Sequence, residues 1–142
     1  MLNFRAFLVA AFTATALQAF ALEKPFNCSP INHCQVDKTT WSKVGWKTDY
    51  TQELKIKEFC IGDRPALQLE PGLGIELWNY GGRENEKEPL HQKPWISVSL
   101  YTRKLTYVVA SAQAPLATNY ISFTYRLQPN GNSLIKVTCQ KL

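Results

Sequence analysis

The chain is poor in the features that build the commonest enzyme sites. It has two histidines, His33 and His91, so a Ser-His-acid triad has little to draw upon. There is no glycine-rich phosphate loop, no Gly-x-Ser-x-Gly elbow and no His-Glu-x-x-His pair, each of which encodes a defined catalytic geometry. No apolar run reaches the roughly 20 residues of a comfortable membrane crossing, and no stretch of about 12 residues keeps a helical period. Internal repeats and low-complexity segments are also missing. Basic residues do not cluster. Lys55 with Lys57, Arg103-Lys104 and the mixed stretch 83–88 are the local concentrations, which excludes the basic face of a nucleic-acid binder.

What is present is a chain of 142 residues, 45% hydrophobic and 19% charged, too apolar for disorder and too short for two ordinary domains. Residues 1–21 carry one positive charge at Arg5, an apolar run over 6–17, and a small-x-small ending at Ala19-Phe20-Ala21. This pattern predicts a cleaved secretory signal peptide, leaving residues 22–142 as a single domain that is periplasmic or extracellular. No cysteine follows the cleavage point directly, so a lipid-anchored product is not expected, and the mature chain contains no transmembrane segment. Without Arg5, fifteen basic residues face eleven acidic ones. That balance gives a mild preference for anionic partners such as polysaccharide, lipid headgroups or an acidic protein surface.

Export places the four cysteines, Cys28, Cys34, Cys60 and Cys139, in an oxidising compartment and predicts two disulfides. The short spacing favours Cys28 with Cys34, which leaves Cys60 to join Cys139; the alternative weighed is Cys34 with Cys60 and Cys28 with Cys139. A metal site is the sharper reading of Cys28, His33 and Cys34, but the distant Cys60 and Cys139 do not supply a second close pair. Neither a metal nor a cofactor is expected.

From Tyr50 onward, short alternating runs are separated by Gly, Pro or Asn, the two-residue period of half-buried strands. Strands are predicted over 54–60, 66–70, 74–80, 95–101, 105–110, 119–127 and 134–140. In the first, Leu54, Ile56 and Cys60 share a face; in the third, Ile75 and Leu77 oppose Glu76, Trp78 and Tyr80; in the fourth, Ile96, Val98 and Leu100 oppose Ser97 and Ser99. Ile121, Phe123, Tyr125 and Leu127 line one face of the sixth, and Asn130-Gly131 marks the hairpin that follows it. Residues 83–94 read as a long exposed loop, and residues 37–44 as one or two helical turns or as a strand ending at Gly45.

The fold expected is therefore all-β: a small antiparallel barrel of about 7–8 strands, with a two-sheet sandwich as the alternative and a short N-terminal helical turn. The runs are too short and too rich in lysine for a membrane-spanning barrel.

The aromatic residues are the most informative candidates for function. If the aliphatic face of strand 74–80 is core, Trp78 and Tyr80 project outward beside Gly81-Gly82; if the faces are reversed, they are core. In the polar loop, Arg83, His91 and Lys93 offer donors to an anionic ligand or protein partner, and Trp95 follows. Glu58, Glu70 and Glu76 are the candidates for carboxylate chemistry on a polysaccharide, should two of them face one another. The expectation is an exported binding module for a small apolar ligand or another envelope or extracellular protein, with Trp78, Tyr80, Arg83, His91, Lys93 and Trp95 as its contact residues. A carboxylate-dependent enzyme acting on polysaccharide and a structural envelope protein without a ligand are the alternatives. A lined cavity would favour a carrier, whereas a filled interior would move recognition to the surface.

Overall fold

A computed structural model describes residues 27–102, 107–127 and 131–142. Residues 1–21, over which a signal peptide is predicted, the basic pair Arg103-Lys104, and Asn130 of the predicted hairpin lie outside the described residues. Among the described residues there are eight strands: β1 (His33–Ser42), β2 (Gly45–Lys55), β3 (Ala66–Glu70), β4 (Leu73–Tyr80), β5 (Trp95–Thr102), β6 (Tyr107–Pro115), β7 (Tyr120–Arg126) and β8 (Ser133–Gln140). One single-turn 3-10 helix, Pro89–Gln92, interrupts the loop between β4 and β5.

The strands form two antiparallel four-stranded sheets, in the orders β2-β1-β8-β7 and β3-β4-β5-β6. They do not close into the expected barrel; the arrangement is sandwich-like. Where the sheets meet at β2 and β3, side chains span the corner instead of a backbone ladder. Gln52 Nε2 donates to the Leu69 carbonyl at 2.9 Å, and Lys38 Nζ reaches Glu70 Oε2 at 3.1 Å. Because β3 is only five residues long, it offers β2 a short edge to pair with.

The alternation read in the sequence sets the core. Val36 on β1, Ile75 and Leu77 on β4, Ile96, Val98 and Leu100 on β5, and Ile135 and Val137 on β8 are fully buried and fill the interior in one cluster. Each such side chain contributes roughly 1.5–3 kcal/mol by leaving water. The aliphatic face of β4 is thus the core face, and Glu76, Trp78 and Tyr80 stand half-buried on the outer one.

Residues 37–44 make no helical turn. They run from β1 into a tight turn to β2, with Trp41 opposite Trp46 and Ser42 opposite Gly45. Gly45, at φ 111°, takes the left-handed backbone that this turn demands. The strand expected over 54–60 is also corrected: β2 starts at Gly45 and leaves its ladder at Lys55, the partner of His33 at the beginning of β1. Beyond that point Ile56 and Phe59 are buried in a connector, while Cys60 is half-buried.

The disulfides are Cys28–Cys60 and Cys34–Cys139, so neither pairing considered from spacing is the one formed. Backbone register explains both. Ser29 N donates to Phe59 O at 2.7 Å and Ile61 N to Asn27 O at 2.9 Å, which sets Cys28 against Cys60 in a small antiparallel bridge. Cys34 and Cys139 are register partners on β1 and β8, both pointing into the core. Two disulfides are compatible with a periplasmic or extracellular location, and among the described residues no helix is long and apolar enough to cross a membrane.

Candidate functional site

The outer face of the second sheet carries a column of stacked planar groups. Trp78 and Tyr80 sit two residues apart on β4, hence on one face, and Tyr80 is the register partner of Trp95 on β5. Their rings stack nearly parallel: Trp78 on Tyr80 at 4.7 Å between centroids, and Tyr80 on Trp95 at 4.0 Å, each with a 12° interplanar angle. His91, delivered by the 3-10 turn, covers Trp95 at 4.0 Å. Arg64 closes the other end, its guanidinium carbon 3.7 Å from the centre of the Trp78 ring.

The sequence positions each member. Ala66 pairs with Glu76, and the ladder continues through Leu77 N to Pro65 O at 2.9 Å, which brings Arg64 opposite Trp78. Arg64 Nε also donates to Glu76 Oε1 at 2.6 Å, fixing the guanidinium plane. At the far end His91 Nε2 lies 3.0 Å from Gln113 Oε1; with the amide oxygen accepting, Nε2 carries the hydrogen. Each aromatic contact of this kind adds about 0.5–1.5 kcal/mol beyond area burial. Burial pushes the Tyr80 phenol above its usual pKa, a shift that a hydrogen bond with the Ser97 side chain opposes.

Beneath the column, Asn79 points inward and is fully buried. Its Nδ2 donates to Phe59 O at 2.9 Å and Asn27 O at 3.3 Å, tying the disulfide-bridged segment to the second sheet.

A surface cleft of about 430 Å³ opens beside the column, lined by Tyr80, Gly81, Gly82, Arg83, Glu86, His91 and Trp95. Its walls are braced. Arg83 N donates to His91 O at 2.9 Å, His91 N to Glu88 O at 2.9 Å, and Gln92 Nε2 to Glu86 O at 2.9 Å. Gly82, at φ 73°, lies against the Lys93 backbone, where a Cβ would come within 2.3 Å of the Lys93 carbonyl carbon. The long polar loop of the sequence reading is therefore an exposed loop folded back on itself.

Of the six candidate contact residues, Trp78, Tyr80, His91 and Trp95 meet in the column, and Arg83 joins Tyr80, His91 and Trp95 around the cleft. Lys93 supplies backbone for Gly82 and keeps an exposed side chain. Arg64 and Gln113 were not legible as members. The signal for Arg64 was the register of β3 on β4, which an irregularity between Gln68 and Glu70 obscures.

The column has a chemical consequence. Tyr80 has Trp78 on one face and Trp95 on the other, while Trp95 lies between Tyr80 and His91. The ring faces are thus engaged largely with one another, which makes the column a rigid ridge. The three carboxylates occupy separate surroundings. Glu76 is held by Arg64, Glu70 by Lys38, and Glu58 lines a different cleft with Lys57, Phe59 and Lys141. Among the described residues no group of three or more His, Cys, Asp or Glu side chains is arranged to hold a metal ion. Comparison of the chain with protein families, with curated proteins and with solved structures yields no match.

Proposed function

We propose that this protein is an exported binding module that recognises another envelope or extracellular protein through the cleft beside the Tyr80–Trp95–His91 column. The observation that carries this reading is the braced ridge of Arg64, Trp78, Tyr80, Trp95 and His91, half-exposed on one sheet face with Arg83 at its side. Trp, Tyr and Arg are the side chains that dominate protein recognition, and rigid ones lose little entropy on binding. The interior supports the same conclusion, because fully buried side chains occupy the space where a carrier would hold its cargo.

A photoreactive residue replacing Glu86 tests it in cells that export the protein. The expected result is one discrete cross-linked product, lost when Trp95→Ala is added to a chain whose far-ultraviolet circular dichroism is unchanged. Unchanged cross-linking in the Trp95→Ala chain, or none at all from Glu86, overturns the reading.

The cleft volume of about 430 Å³ favours a second reading, a small apolar ligand at the same place. It is distinguished by saturable quenching of tryptophan fluorescence by 1-anilinonaphthalene-8-sulfonate in the purified protein, without any cross-linked partner.

A further inference from the structure

The tip of the β1–β2 hairpin combines two features. It is apolar and projecting: Val44 is 96% exposed at the apex, with Trp41 at 51% and Trp46 at 49% directly behind it. The two indoles are cross-strand partners, 5.4 Å apart and tilted by 59°, so each keeps part of its ring toward solvent. The tip is also cationic. Residues 38–48 contain Lys38, Lys43 and Lys47 and no acid. Lys38 is engaged by Glu70, leaving Lys43 and Lys47, both exposed, on either side of Val44. The nearest acid along β2, Asp49, accepts a hydrogen bond from the Thr40 hydroxyl.

The tip is held in shape. Ser42 Oγ donates to Gly45 O at 3.2 Å and accepts from Val44 N at 3.4 Å, while Trp41 N donates to Asn132 O at 2.8 Å. Arg126 joins from β7: its Nη1 donates to Gly131 O at 2.7 Å, and it lines a shallow cleft of about 250 Å³ with Trp41, Trp46, Gly131 and Asn132. A guanidinium bound through one nitrogen retains donors for a phosphate.

We infer that this hairpin tip docks on the surface of an anionic lipid bilayer, with Val44 entering the acyl boundary, Trp41 and Trp46 at headgroup depth, and Lys43, Lys47 and Arg126 facing lipid phosphates. The occupant is set by the combination. Charge complementarity calls for an anionic surface, and a single exposed aliphatic apex backed by two amphipathic indoles matches the steep change from water to hydrocarbon at a bilayer boundary. The tip belongs to the first sheet and is separate from the cleft assigned to partner recognition, so either assignment stands without the other.

The test uses oxidised mature protein recovered from the exporting compartment and vesicles of phosphatidylcholine with and without phosphatidylglycerol. Co-sedimentation with the phosphatidylglycerol vesicles is expected at low salt, with a blue shift of tryptophan emission and quenching by brominated acyl chains. Val44→Asp, at a site too exposed to affect folding, is expected to weaken partitioning about tenfold or more. Lys43→Gln and Lys47→Gln are each expected to weaken it about fivefold. Equal binding by the Val44→Asp chain overturns the inference, as does failure to bind phosphatidylglycerol vesicles. Binding of soluble polyglutamate as tight as that of vesicles, without a blue shift, also overturns it and assigns the tip to acidic proteins.

Discussion

Cys34 and Cys139 face one another across the β1–β8 ladder with their Cα atoms 4.0 Å apart, joining these two strands inside the core. This bridge spans 105 residues of sequence. In the chain-entropy description a loop of that size contributes about 4–5 kcal/mol, reduced here because the second bridge already restricts part of it. Replacement of both cysteines by alanine is expected to lower unfolding free energy by about 3–4 kcal/mol, read from urea denaturation without reductant. A loss below about 1 kcal/mol contradicts a constraint on the unfolded chain.

Gly82 and Gly45 both hold positive φ, but their surroundings differ. A Cβ on Gly82 meets the Lys93 backbone, whereas one on Gly45 meets nothing within 4 Å. Gly45→Ala is expected to cost about 1–2 kcal/mol, the conformational term alone. Gly82→Ala is expected to cost more than that and to expose the amide of Arg83 to hydrogen exchange by opening the loop. Equal losses at the two positions count against the close packing that braces the cleft.

Alkaline stability follows from two phenols. Tyr50 is pushed well above its usual pKa, first by burial and then by the charge of Glu70, and Tyr80 is raised mainly by burial. A group whose folded pKa lies above its unfolded value favours the fold while protonated. The contribution is therefore complete below about pH 10 and is lost as pH climbs beyond it. Urea midpoints are expected to fall above that pH, and the Tyr50→Phe chain to fall less steeply. An identical decline in both chains removes Tyr50 from the explanation.

The contact between Arg64 and Trp78 is open to a double-mutant cycle. With a half-exposed guanidinium over the ring, a coupling of about 0.5–1 kcal/mol is expected between Arg64→Ala and Trp78→Ala. Arg64→Lys keeps the charge but not the flat group, and most of the coupling is expected to disappear. Full retention by lysine means that charge alone supplies it.

Legibility in the sequence followed the wetting of each strand. Residues 66–70 of β3, and the inward faces of β4 and β5, were readable because one side is dry and the other meets solvent or polar neighbours. The β1–β2 hairpin was not, because β2 is largely exposed on both faces and Lys38 is paired across the sheets with Glu70, so no clean alternation survives. Four members of the column were found because the spacing of Trp78 and Tyr80, and the return of β5 alongside β4, are local matters. Arg64, Gln113 and the disulfide pairing depend on register between distant segments. The short spacing of Cys28 and Cys34 pointed to the wrong pairing among the three possible; the ladders select the one formed.

The placement of β8 between β1 and β7 governs when the molecule can assemble. While β3 to β6 join neighbours in sequence and zip up in order, β1 and β2 have only each other until the eighth strand is available. A polypeptide made from its amino end onward thus keeps the first sheet open until β8 has emerged, so that sheet closes by a long-range pairing after the second has zipped up.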